Sequence, residues 1–321
     1  DWSSDVCSSD LQFLLMDLVG QKLSLDFLMK VRYRRGFKPA MKLLKSLDAD
    51  VIFCTHFFAL YYALEARKKG VIKKETKIYA YCPEPVIGKQ WDRRSDCIFV
   101  SGEMGKNKAK NGYFKKTDIE FVPFLLRRDV LKIDKSKEYY REKFNLPKDN
   151  FTVLLADGAY GAGKLKETTE RLIKSDKKMT VISVCGKNEE LFEYFKTLTP
   201  SDSVTFKPFG FTDKILELTA ASDLFIGKAG ASSLAEPTYF GVPQIVNFRA
   251  TPIEKWICAH HVEVLKTAVL IENVEKIVET AEKWTEKPEE FTALCENCEK
   301  ASESDGAVIL ADKLFESLKT E

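Results

Sequence analysis

Short apolar runs alternate along the chain with longer charged stretches whose hydrophobic residues recur at helical spacing. Runs such as VIFC and TVLLA are apolar on both faces, as strands are when helices cover both sides of a parallel sheet. This pattern predicts strands over 51–54, 77–81, 97–100 and 119–122, then over 152–156, 180–185, 204–207, 223–227, 244–248 and 269–271. Strand–helix–strand repetition of this kind builds βαβ units, so the expected fold class is α/β with parallel sheets. The charged stretch 125–150, closing on a Pro-containing turn, separates the two sets of strands. Domains are therefore expected over 12–131 and 132–303, with an amphipathic closing helix over 304–321 carrying Val308, Leu310, Ala311, Leu314, Phe315 and Leu318. Open parallel sheets take ligands at the carboxyl ends of their strands, and two such domains face to face enclose a cleft. Residues 1–11, DWSSDVCSSDL, are Ser/Asp-rich, match nothing that follows, and read as adapter-derived sequence foreign to the protein.

With 321 residues and 45% hydrophobic content, the chain has ample core for two domains. Fifty basic against 48 acidic residues leave a net charge of +2, which implies no nucleic-acid partner. The eight cysteines are scattered, several inside apolar runs, and read as free buried thiols. Cys295 and Cys298 form a single C-x-x-C without the further ligands a zinc site needs, so no metal is expected. No apolar run approaches the roughly 18 residues that span a bilayer. The basic stretch Lys30–Arg35, with Phe37 and nearby Leu25, Phe27 and Leu28, suits either anionic lipid headgroups or a solvated helix face.

Candidate chemistry concentrates in Phe209–Gly241, FGFTDKILELTAASDLFIGKAGASSLAEPTYFG. A strand runs into the small-residue turn Lys228–Ala231, then Ser232–Ser233 and a helix. Small residues admit a ligand close to the backbone, and a helix N-terminus favours an anion such as a diphosphate. Glu236, about one turn in, is placed to accept ribose hydroxyls; S-x-x-E is equally the pattern of a capping box. Gly158, Gly161 and Gly163 form a glycine-rich turn after the strand at 152–156. His56 follows the strand at 51–54 and is either a general base or a hydrogen-bonded packing residue. His260 and His261, adjacent on one helix, point to different faces and read as surface or packing residues rather than metal ligands.

Together these stretches resemble the glycosyltransferase family of monogalactosyldiacylglycerol synthases and processive diacylglycerol glucosyltransferases. The resemblance rests on Gly210-Phe211-Thr212-Asp213 and on Lys228-Ala229-Gly230-Ala231-Ser232-Ser233-Leu234-Ala235-Glu236. It extends to the glycine-rich turn, to Val184-Cys185-Gly186-Lys187-Asn188 and, more loosely, to Asp50-Val51-Ile52 with Thr55-His56, covering roughly residues 40–285.

The resemblance implies the GT-B fold, two Rossmann-like domains facing a cleft. It implies a UDP-sugar as co-substrate, a lipid acceptor such as diacylglycerol, a peripheral position on the inner face of the membrane, and no further cofactor. Carried onto this sequence, it makes Gly210, Phe211 and Thr212 the uracil loop. Gly230, Ala231, Ser232 and Ser233 become the diphosphate site, Glu236 the ribose ligand, Glu254 a donor-side carboxylate and His56 an acceptor-side base. Ala229 and Ala231 stand where the family has Pro and Gly, and Pro237 follows the ribose carboxylate, where it is compatible only with a position near the helix start. Ile253 and Ile257 stand where the family has the Gln and Asn that grip the sugar. Nothing before Val51 resembles the family's first strand and its histidine-bearing glycine loop, so the N-terminal domain is expected to be incomplete. The alternatives are a UDP-N-acetylglucosamine epimerase, which shares fold and donor site, and a non-catalytic UDP-sugar- or lipid-binding relative.

Overall fold

The computed structural model describes residues 34–102, 113–158, 160–161, 163–302 and 306–319. Residues 1–33 and the Arg35 side chain lie outside it, so the readings of 1–11, of Leu25, Phe27 and Leu28, and of most of the basic stretch have no structural counterpart. The chain divides into two compact units between Phe121 and Val122.

The first unit contains α1 (Arg34–Lys45), β1 (Val51–Cys54), α2 (Phe57–Lys68), β2 (Lys77–Cys82), β3 (Cys97–Val100) and β4 (Asp118–Phe121). Its strands form one parallel sheet in the order β1-β2-β3-β4. Leu60, Ala63, Leu64 and Ala66 of α2 pack on Ile78, Ala80, Ile98 and Val100. Burial of Glu65 in α2 is offset by Arg94, whose guanidinium lies 2.8 Å from it and is itself gripped by Asp92. On α1, Leu44 turns inward, while Arg34, Lys38, Lys42 and Lys45 are exposed.

The second unit opens with α3 (Arg128–Leu131) and α4 (Lys137–Lys143). It continues through β5 (Phe151–Ala156), α5 (Leu165–Leu172), β6 (Met179–Val184), α6 (Glu189–Lys196), β7 (Val204–Phe209), α7 (Ile215–Ala220), β8 (Leu224–Lys228), α8 (Ala231–Tyr239) and β9 (Gln244–Phe248). It closes with α9 (Pro252–Ala259), a π-helical turn (His260–Val264), β10 (Ala268–Leu270), α10 (Val274–Trp284), α11 (Glu289–Ala301) and α12 (Gly306–Lys319). Six parallel strands run in the order β10-β9-β8-β5-β6-β7. Alternation along β5 sends Val153 and Leu155 into one core, with Leu172, Ile226 and Trp284, and Leu154 into the other, with Ile182, Phe225 and Phe240. Pro208 lies in β7, at the sheet edge, where a missing N–H costs least.

Val130 is fully buried and packs, with Leu126 and Ile133, against Tyr140, Leu146 and Phe240. Residues 122–131, assigned to the first domain from sequence, are therefore held by the second unit's core. Nearby, the buried carboxylate of Asp223 accepts from Lys137 Nζ at 2.8 Å, from the Thr152 N–H at 2.8 Å and from Arg141. Burial alone would raise its pKa, but the two cations hold it below the ordinary carboxylate value. In α12, Leu310 is buried while Val308 and Phe315 face solvent, so only part of the predicted apolar set packs; the Leu318 side chain lies outside the described residues.

Candidate functional site

Every sequence-derived site residue of the second unit lies in a turn beyond the carboxyl end of a strand or in the helix that the turn feeds. Helix α8 begins directly after β8, with Gly230 in extended conformation at its N-cap. The helix's first hydrogen bond runs from the Leu234 N–H to the Gly230 carbonyl. The N–H groups of Ala231, Ser232 and Ser233 therefore have no helical partner, and no side chain caps this end among the described residues. This corrects the capping reading: Ser232 and Ser233 lie within the first turn and leave the amides open. Glu236 does not return to the helix start either. Its Oε1 accepts from Arg127 Nε at 3.1 Å, and its side chain keeps 13% exposure against 56% for Arg127. Burial raises the Glu236 pKa, with Arg127 pulling in the opposite direction. Pro237, expected near the helix start, sits seventh of nine residues and deprives the Ser233 carbonyl of a helical partner. The helix tolerates this because it ends two residues later, where the Val242 N–H bonds the Pro237 carbonyl.

Strand β8 approaches β5 so closely that a Cβ on Gly227 would lie 2.5 Å from the Ala156 carbonyl oxygen. Opposite it, β9 carries one extra residue: Gly227 pairs with Val246 and Lys228 with Phe248, leaving Asn247 without a ladder partner. Asn247 is buried and reaches across the end of β8, where its Nδ2 donates to both carboxylate oxygens of Asp157, at 3.0 and 3.2 Å.

Asp157 opens the glycine-rich turn. Gly158, Gly161 and Gly163 all have positive φ, at 79°, 58° and 90°, which side-chain-bearing residues rarely adopt. A Cβ on Gly163 would lie 3.2 Å from Asp157 Oδ2, and one on Gly158 would lie 3.3 Å from Lys228 Cε. Lys228 Nζ in turn lies 3.5 Å from Glu254 Oε1. Glu254 Oε2 accepts from the Ala250 and Thr251 N–H groups, at 2.8 and 3.1 Å, closing a capping box on α9. Glu254 thus serves helix start and lysine together. Ile253 and Ile257 join the core cluster of Ala229, Leu234 and Val246, so neither offers a polar group.

Beyond β7, Gly210 backs onto Phe192, Phe211 is 73% exposed with Lys187 Nζ 5.9 Å from its ring centroid, and Thr212 Oγ1 accepts the Lys214 N–H. His56, in the first unit, is an N-cap: its Nδ1 accepts the Phe58 N–H at 3.1 Å. In that neutral tautomer the proton sits on Nε2, leaving no free basic nitrogen. Partial burial lowers its pKa, and Glu84 opposes the shift. His260 and His261 are both buried; His261 Nδ1 lies 2.9 Å from Thr267 Oγ1, and burial pushes its pKa down to about 3. Cys295 and Cys298 are free thiols.

Residues 152–301 match the model of the glycosyltransferase family 28 C-terminal domain. The chain is 30% identical over 269 residues to a processive diacylglycerol beta-glucosyltransferase of Bacillus pumilus, spanning 82% of this chain and 68% of the relative. The chain belongs to the family-28 glycosyltransferases. A second relative in the family is the UDP-N-acetylglucosamine--N-acetylmuramyl-(pentapeptide) pyrophosphoryl-undecaprenol N-acetylglucosamine transferase of Thermoanaerobacter sp., 27% identical over 318 residues, 94% of this chain and 82% of that one. In fold, the chain matches Acinetobacter baumannii MurG with a TM-score of 0.63, at 16% identity and covering 86% of this chain and 76% of that one. This is the GT-B glycosyltransferase fold. Asp157, Asn247 and Arg127 were missed from sequence: Asp157 and Asn247 lie 90 positions apart, and no motif signals their meeting.

Proposed function

We propose that this family-28 glycosyltransferase transfers a hexose or N-acetylhexosamine from a UDP-sugar to the hydroxyl of a lipid acceptor such as diacylglycerol. The observation that carries this is the open start of α8. Three unpaired N–H groups open the helix, and Glu236, three and four residues beyond Ser233 and Ser232, lies about one turn along the axis, roughly 6 Å. Amides and helix dipole receive the diphosphate, and the carboxylate receives the ribose hydroxyls once Arg127 moves aside. The acceptor oxygen attacks the anomeric carbon and UDP leaves, its charge taken up by the amides and Lys228, so the reaction needs no metal or other cofactor. Gly210, Phe211 and Thr212 take the base, and Gly158, Gly161 and Gly163 keep the adjacent turn close to the donor. Arg34, Lys38, Lys42 and Lys45, an exposed basic stripe at helical spacing with Leu43 and Leu47 beside it, support a peripheral position on an anionic, cytoplasmic-face membrane. No helix among the described residues is long and apolar enough to cross a membrane.

The test uses the chain with UDP-glucose, UDP-galactose or UDP-N-acetylglucosamine on vesicles containing diacylglycerol and anionic lipid. Release of UDP with formation of a glycolipid is expected. Conversion of the UDP-sugar without lipid would instead identify an epimerase, and no UDP-sugar binding would end the proposal. The packing of Ile253 and Ile257 into the core favours one second reading, a UDP-sugar-binding relative without turnover, which the same assay recognises as saturable binding with no product.

A further inference from the structure

Asp157 is nearly fully buried, yet it is surrounded by donors. Its carboxylate accepts twice from Asn247 on β9, and the backbone N–H groups of Lys164 and Leu165, at the start of α5, lie close enough to favour its charged form. Lys228 on β8 is the charged group facing it, and Glu254 on α9 lies beyond that lysine. One side chain thus joins the end of β5, the exit of the glycine turn and the end of β9. An ionised carboxylate fits this environment, because every neighbour donates and none accepts. The exception is latent: Asn247 Oδ1 is buried and has no hydrogen-bond partner. A protonated Asp157 could satisfy its O–H only if the Asn247 amide turned over and presented that oxygen, at the loss of both present Nδ2 bonds.

We propose that Asp157 is a positioning residue for donor binding, its ionised carboxylate pinning the glycine turn to β9 and its protonation releasing the turn through rotation of the Asn247 amide. Burial pushes the Asp157 pKa up to about 6, against the pull of Asn247, the two amides and Lys228, so the exchange falls within an accessible pH range. The donor half of this inference rests on the UDP-sugar reading above; the loop half does not.

The test compares the wild-type chain with Asp157→Asn, which keeps the shape and removes the titration. Without ligand, the Asn247 side-chain amide resonances should titrate with a midpoint near pH 6. The Lys164 and Leu165 amides should lose exchange protection in the wild type on the acid side of that midpoint and there approach the values of the variant, which is neutral at every pH. Both changes should be absent in Asp157→Asn. UDP-glucose, whose phosphates do not titrate in this range, should bind the wild type about tenfold more weakly at pH 5.0 than at pH 7.5, and the variant should lose most of that dependence. An Asn247 amide that does not titrate, or that titrates equally in the variant, overturns the loop half. Equal pH dependence of UDP-glucose binding in both proteins overturns the donor half. Absence of UDP-glucose binding at every pH refutes the donor half and the nucleotide reading together, while the resonance titration still decides the loop half.

Discussion

Replacing Glu236 with Gln separates a ligand carboxylate from a structural one. In the free chain Glu236 has one cationic partner, Arg127, which is more than half exposed, and such pairs contribute about 0–1 kcal/mol. Burial raises the Glu236 pKa, so the group favours the fold most at low pH, and that contribution is lost as pH rises through the folded value. At pH 7 the charged form is the penalised one, and a neutral amide of the same shape should leave stability within about 1 kcal/mol of wild type. With donor bound the balance reverses. Each ribose hydroxyl on the carboxylate forms a charge-assisted hydrogen bond of about 1.5–3 kcal/mol, a neutral amide keeps about half of each, and the pair therefore loses about 1.5–3 kcal/mol, less up to about 1 kcal/mol that the carboxylate spends displacing Arg127. The net loss in Glu236→Gln centres near 1.5 kcal/mol, about tenfold in Kd. Calorimetric titration with UDP-glucose and urea unfolding at pH 7 measure the two quantities. Unchanged UDP-glucose affinity would refute the ribose assignment, and a stability loss above about 2 kcal/mol would make Glu236 a structural residue.

Other substitutions test the surrounding framework. Asp223→Ala leaves the buried Arg141 guanidinium without its carboxylate, while the part-exposed Lys137 can turn to solvent, and should cost about 3–5 kcal/mol by urea unfolding at pH 7. Because the Asp223 pKa is lowered, its contribution is present above the ordinary carboxylate value and lost as pH falls through the folded value, so the gap between wild type and variant should narrow with acidification. Gly161→Ala combines a φ of 58° with a Cβ 3.1 Å from the Cys185 carbonyl oxygen, and should cost about 2 kcal/mol. Gly241→Ala, at φ 72° but with its nearest neighbour 3.8 Å away, should lose only about 1 kcal/mol, and equal losses would show that crowding plays no part at Gly161. His56→Ala should destabilise by about 1 kcal/mol through loss of the α2 cap, and His56→Asn should restore it; if His56→Asn also retains transferase activity, His56 is not the base.

The strands were the most legible part of this chain, because both-face apolar runs such as those in Val51–Cys54 and Phe151–Ala156 have few other ways to be buried. β7 proved longer than the 204–207 expected, since its edge position accommodates Pro208 and carries the strand on to Phe209. Placement of α8 after a small-residue turn was readable from local sequence, whereas its capping was not. Ser232 and Ser233 are good cap residues by type, but Gly230 takes the extended conformation first and moves both into the helix. Arg127 on Glu236 and Asn247 on Asp157 depend on how distant segments meet, and neither pairing leaves a periodic trace. Ile253 and Ile257 read from sequence as lost sugar contacts; their burial against Val246 gives them a packing role that composition alone could not assign.

The unmatched residue in β9 makes this strand sensitive to length as well as to identity. Truncating Asn247 to Ala removes one amide but preserves the offset between Val246 and Phe248. Deleting the residue would set Val246 and Phe248 side by side opposite Gly227 and Lys228, the partners they already have, and close the ladder without its bulge. The bend and extra twist that the unmatched residue gives the strand would go with it, and the segment leading to Thr251 and Glu254 would leave the sheet at a different angle. A three-nucleotide deletion in the gene would then remove one side chain and redirect the approach to α9 at once, and homologues differing by a single residue here should differ in that approach.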